Sequence, residues 1–370
     1  MTDSLTAALS RTLNQAAATN PYTNAPYTDA MLFGLSGGLG LGYILWEFKK
    51  NSTAPVVLGL TRRWNYPTER LAAAAARTGL TFTIHETAST TKADHQLAQA
   101  CGEDPLAPLI YVDWFHCPFG WVMTASQTPQ GWTVQDTGQH PVLISDDIMS
   151  EARNAYPSLK HRLIRFTEHK QLKKSELKQN CSDAIKDMSA YLSSGSDSFG
   201  LPALKKWHRL LTHDTHKKGW PTVFKRGRNL APALATLYQR TVLTGTDGRA
   251  LRPTYAAFLR EAAPILNRPN LDHVADLYDR AGVAWRQLGQ AALAKDDPLR
   301  QALDQRARAH ARGGRRGVTN MQTHDAHVQA QLKSASYPAD PNLFSTLSEK
   351  LRRVYDLETQ ALQALDDARE

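Results

Sequence analysis

Cysteine is scarce in this chain: three in 370 residues, at Cys101, Cys117 and Cys181. So few, so scattered, exclude a disulfide framework and make a reducing cytoplasm the expected compartment. No basic N-terminal segment leads into an apolar run, so no secretory signal is expected. Long apolar runs are also missing. The longest uncharged stretch with apolar character is residues 30–46, inside DAMLFGLSGGLGLGYILWEF, and its 17 positions carry five glycines. That is at the short limit for a membrane helix, and the glycines weaken it further, so no membrane association is expected. The stretch lacks the Lys-Ser/Thr of a phosphate loop. Its GGLGLG follows a short helix where a dinucleotide fingerprint needs a strand. What remains is close packing: glycines in a buried helix-and-turn that let neighbouring backbones approach.

What is present is ordinary for a folded enzyme-sized chain, with 42% hydrophobic and 21% charged residues. The formal charge of +9 is spread along the chain. Its densest cluster, RARAHARGGRRG (Arg306, Arg308, Arg312, Arg315, Arg316), reads as a solvated helix end and loop or as an anion-docking patch. No zinc-finger or RNA-recognition signature accompanies it, so nucleic acid is not the expected partner.

Along the chain, residues 3–18 have helical spacing. APVVLGL, TFTIHE, APLIYVDWF, WVMTA, WTVQD and HPVLIS read as strands, the third as the strongest. PTERLAAAAARTG reads as a helix started near Pro67 and stopped by Gly79, and TKADHQLAQAC as another. From about residue 145, beginning with SDDIMSEARNAY, nearly everything has helical period. SSGSDSFG breaks it at 193–200, and the last segment is a long amphipathic helix with Leu347, Leu351, Tyr355 and Leu362 near one face. That helix could seam a homodimer, and a single-chain bundle explains it equally well. The expected layout is α+β over residues 1–150 and all-helical over 151–370.

The order of the pieces DAMLFGLSGGLGLGY, VLGLTRRWNYP, LIYVDWF, WTVQDT, SDDIMSEAR, FGLPALKKW and TGTDGRALRPTYAAFLREAA resembles the butirosin-biosynthesis-protein-H-like family. The resemblance spans roughly residues 25–290. It implies a papain-like N-terminal domain, a helical C-terminal domain, and acyl transfer from a carrier-protein thioester to an amine in natural-product assembly. Cysteine, histidine and an acidic or amide residue would divide the work of nucleophile, proton carrier and orienter. An acyl carrier protein and a small-molecule substrate are the implied partners, with no cofactor and no metal.

The sequence departs from that pattern where the chemistry should be. No cysteine precedes Cys101, and Ser4 falls near the family's cysteine position. Another register puts Ser10 or Arg11 there. Ser4 at a helix start reads as a cap as well as a nucleophile candidate. PFGWVMT stands where the family's histidine is expected. Asp136, in VQDT, matches its acidic position and also reads as a turn carboxylate. His116-Cys117 is the local pair that could do thiol chemistry, and it reads first as a small buried cysteine beside a satisfied histidine. Asp113, His116 and Asp136 would serve a family member that has given up covalent catalysis and cyclises or condenses its substrate by acid–base help. A carrier-binding scaffold without activity is a third reading. The family's glycine signature implies substrate contacts at Ser36, Gly37 and Gly38. The TGTDGRALRP motif implies them at Asp247 and Arg252. HDTH (His213, His216) has a zinc-like spacing but no third ligand, and reads as a helix end.

Overall fold

The computed structural model describes residues 3–46, 55–62, 67–112, 122–135, 137–155, 157–225, 227, 229–244, 248–335 and 337–369. Its elements begin with α1 (Ser4–Gln15), α2 (Asp29–Leu35), β1 (Leu39–Leu45), β2 (Val56–Thr61), α3 (Pro67–Thr78), β3 (Leu80–His85) and α4 (Thr90–Glu103). Then come β4 (Leu109–Tyr111), β5 (Val122–Thr128), β6 (Gly131–Gln135), β7 (Val142–Ile144), α5 (Asp146–Asn154) and β8 (Leu163–His169). From there on every regular element among the described residues is helical: α6 (Lys174–Leu192), α7 (Gly200–Thr212), α8 (Trp220–Val223), α9 (Leu230–Tyr238), a π-turn at Gln239–Leu243, α10 (Arg252–Leu266), α11 (Leu271–Ala292), α12 (Pro298–Arg312), α13 (Gly314–Ser334) and α14 (Pro341–Asp367). The class is α+β, as expected, with a helical C-terminal region.

The chain forms two compact units, each built from separate segments. One comprises Met1–Leu32, Leu71–Leu177 and Gln305–Asp325. Its centre is a six-stranded antiparallel sheet in the order β3-β8-β4-β5-β6-β7. Leu97 and Ala100 of α4 and Met149 and Ala152 of α5 share one buried cluster with Ile110, Ala125, Trp132, Val134 and Leu163 of the strands. Thr124, next to Ala125, points to the opposite face, where it meets Arg11 of α1. At β5 the sheet is therefore covered on both sides.

β8 corrects the expectation of helix beyond residue 145. Leu163, Ile164 and Phe166 are completely buried, and the strand pairs with β3 on one side and β4 on the other. Its apolar residues stop at Phe166, and Thr167 and Glu168 are exposed, so the apolar pattern is too short to mark a strand. The APLIYVDWF strand is described over Leu109–Tyr111, its later residues lying outside the described ones.

The other unit comprises Phe33–Arg70, Lys178–Asp304 and Ala326–Glu370. It holds the two-stranded antiparallel sheet β1-β2 and the helical bundle dominated by α7, α10, α11 and α14. Tyr43 on β1 stacks on Trp207 of α7 at 5.0 Å and 8° between ring planes, and Trp207 lies 6.5 Å from Trp285 of α11. The Trp220 indole N–H donates to the Tyr43 hydroxyl at 2.9 Å. Aromatic pairs of this kind contribute about 0.5–1.5 kcal/mol each beyond their buried area. They tie the small sheet to the bundle.

Candidate functional site

The glycine segment has a concrete job. α2 ends in a Schellman motif: the Gly37 amide donates to Gly34 O at 2.9 Å and the Gly38 amide to Phe33 O at 3.0 Å. Gly37 sits at φ +97 and Gly38 at φ +60, where a side chain is strained. The chain then enters β1, a strand where helix-and-turn alone was expected. A Cβ on Gly34 would lie 2.1 Å from the Phe258 ring, and one on Gly38 2.6 Å from the Tyr255 ring. Ser36 is fully buried; its hydroxyl donates to Phe33 O at 2.7 Å and accepts from Arg70 Nε at 3.0 Å. The Arg70 guanidinium also lies 5.3 Å over the Phe33 ring. Ser36, Gly37 and Gly38 thus form a hydrogen-bonded corner of the core.

Arg252 and its partner Glu358 are both fully buried. Arg252 Nε donates to Glu358 Oε1 at 2.6 Å, and the Trp285 indole N–H donates to the same oxygen at 2.6 Å. Arg252 Nη1 donates to Ala250 O at 2.7 Å, which pins the left-handed residues Ala250 and Leu251 ahead of α10. Asp247 lies outside the described residues.

In the sheet-bearing unit, Ser4 is the first helical residue, and the cap expected of it comes from Asp3, whose carboxylate accepts from the Thr6 amide at 3.4 Å and the Thr6 hydroxyl at 2.7 Å. Asp113, His116, Cys117 and Asp136 lie outside the described residues, and the strands that precede and follow them are described. Tyr111 at the end of β4 pairs with Val122 at the start of β5, and Gln135 at the end of β6 pairs with Thr124. All three strand ends therefore meet at one end of the sheet. Arg11 reaches them from α1, donating from Nη2 to Gln135 O at 2.7 Å and from Nε to Thr124 Oγ1 at 3.1 Å. Its place one turn before the end of an amphipathic helix gave no hint of this role.

Cys101 and Cys181 form no disulfide among the described residues. Cys101 donates to Ala125 O at 3.6 Å, and burial pushes its thiol up to about 11. Near neutral pH it is protonated and a poor nucleophile. Its alkylation by iodoacetamide is expected to be slow at neutral pH and to rise about tenfold per pH unit until the pH approaches that value. Peptide mapping of labelled protein checks this, and rapid labelling of Cys101 at neutral pH would contradict it.

His213 caps the end of α7 and His216 follows in a bend, their rings 5.4 Å apart. No group of three or more His, Cys, Asp or Glu among the described residues could hold a metal ion. No helix of the described residues is long and apolar enough to cross a membrane. In the basic cluster, Arg306 pairs with Asp325, while Arg308, Arg312, Arg315 and Arg316 are exposed around the Gly313-Gly314 break between α12 and α13.

Residues 8–127 match the family model described as butirosin biosynthesis protein H, N-terminal. Over those residues the chain is similar to the butirosin biosynthesis protein H-like family. Residues 147–313 match a second model, described as a domain of unknown function, DUF4872. No curated protein matches the chain. The family's name points to antibiotic biosynthesis, a setting compatible with an enzyme of natural-product assembly.

Proposed function

We propose that the protein is an acyl or aminoacyl transferase of natural-product biosynthesis, forming an amide or a ring from a carrier-protein thioester or a small-molecule substrate. The reading rests on the family and on one observation: the strand ends flanking residues 113–121 and preceding Asp136 converge beside Arg11. Short connections from such a shared end can bring Asp113, His116, Cys117 and Asp136 within reach of one substrate. In the proposed reaction His116 takes the Cys117 proton and the thiolate attacks the thioester carbonyl. The carrier thiol leaves with that proton, and an acyl–Cys117 bond remains. An amine then attacks the acyl group, His116 takes the amine proton and returns it to sulfur, and the amide departs. Asp136 orients the histidine, and Arg11 ties the β5 and β6 ends together through Thr124 and Gln135. Ser4 is the alternative nucleophile, on the helix whose family counterpart carries the cysteine.

The test is thiol release from acyl carrier thioesters, with and without an amine acceptor. Wild type is expected to release thiol, and Cys117→Ala and His116→Ala to lose at least about 10²-fold. Asp136→Asn is expected to retain part of the rate. Release that is insensitive to Cys117→Ala but lost in Asp136→Asn or His116→Ala favours acid–base action without a covalent step. Carrier binding without any release favours a scaffold.

A further inference from the structure

A polar cleft lies in the helical unit. It has a volume of about 570 Å³ and is lined by Ser182, Lys186 and Ser189 of α6, Arg268 just past α10, and Asp366 and Arg369 at the end of α14. Ligand pockets commonly span about 300–1,000 Å³. Residues 182, 186 and 189 recur at helical spacing, so they present one face to the cavity.

The floor is organised by hydrogen bonds. The buried Ser189 hydroxyl donates to Asp366 Oδ1 at 2.5 Å and accepts from Arg369 Nη1 at 2.9 Å. Arg369 Nη1 also donates to Asp366 at 2.7 Å. Asp366 is thereby committed to Arg369 and Ser189. Lys186 and Arg268 have no ion-pair partner among the described residues. Three cations face one carboxylate, so the lining carries a formal surplus of two positive charges. Helix C-termini attract cations in their own right, and both Arg268 and Arg369 follow one. That attraction does not account for Lys186 in the middle of α6, aimed at the same space.

We propose that this cleft binds a phosphate-bearing ligand, its dianion held by Lys186 and Arg268 with Arg369 and the Ser182 hydroxyl at the side. Arginine and lysine converging on a concave, partly apolar space match a phosphate group carried on a larger organic body. The site is independent of the acyl-transfer chemistry, and either can fail without the other.

Calorimetric titration of the full chain with inorganic phosphate and with pyrophosphate at low ionic strength is the test. Both probes are expected to bind, pyrophosphate more tightly. Arg268→Ala and Lys186→Ala should each weaken binding by about tenfold or more. Arg308→Ala, at an exposed cation of the other unit, should leave it unchanged. Both cleft variants alter side chains with no ion-pair partner among the described residues, so their unfolding midpoints without ligand should match wild type. Failure of both probes to bind, or binding unaffected by Arg268→Ala and Lys186→Ala, would overturn the proposal and leave these cations serving the helix ends alone.

Discussion

Glu358→Ala is expected to destabilise the protein by about 3–5 kcal/mol, the cost of leaving a buried charge without its partner. The Arg252 guanidinium would remain fully buried, with Ala250 O as its remaining acceptor among the described residues, and the Trp285 N–H would lose its acceptor too. The Arg252 cation would keep the Trp285 ring 5.1 Å away, which offsets little of that loss. Removing both charges should behave differently. An Arg252→Met, Glu358→Leu double variant is expected to lose much less than Glu358→Ala, because desolvation of both ions is relieved together, while the Trp285 N–H left without its acceptor offsets part of that gain. Denaturant unfolding of Arg252→Met, Glu358→Leu and the double variant measures the coupling. A loss below about 1 kcal/mol for Glu358→Ala would mean that water reaches the pair and that the bundle is looser than described.

Gly40→Ala is the second large effect expected, at about 1–3 kcal/mol or more. An added methyl would lie 2.1 Å from Thr61 O, 2.3 Å from Thr61 C and 2.6 Å from the Arg62 amide nitrogen, all backbone atoms of the partner strand. Backbone cannot swing aside as a flexible side chain can, so β1 and β2 must separate. β1 also carries Tyr43, whose ring stacks on Trp207, so the displacement would reach the aromatic column. A fall in unfolding midpoint with loss of near-ultraviolet circular dichroism is the expected signature. An unchanged midpoint would show that the two strands can open without disturbing the bundle.

These two positions show what could be read from residues alone. The glycine segment announced close packing, and that reading holds at Gly34, Gly38 and Gly40. Its strand half was hidden, because LGLGYIL is buried on both faces and shows no alternation. β8 was hidden because only Leu163, Ile164 and Phe166 in it are apolar, and polar or charged residues fill the rest. Pro67 and Gly79 marked α3 correctly, since each acts through its own backbone geometry and needs no distant partner. The terminal helix was legible from its leucines, and a closer look at its stripe reveals Glu358 as well. Leu347, Leu351, Val354, Glu358, Leu362 and Leu365 share the buried face, so an acid stands where an apolar residue belongs. A charge there signals a buried partner, though not that the partner is Arg252, 106 positions away. Arg11 gave no such sign, since its acceptors are a strand carbonyl and a threonine brought close by the fold. The site candidates Asp113, His116, Cys117 and Asp136 rest on their residue types, the family pattern and the converging strand ends.

Intact-protein mass spectrometry after incubation with acyl carrier thioesters, comparing wild type with Cys117→Ala, tests the proposed chemistry most directly. The covalent route predicts a mass increase of one acyl group on wild type that disappears when an amine is added and never forms on Cys117→Ala. An adduct that persists unchanged in Cys117→Ala, or no adduct on either protein while thiol is still released, would contradict it.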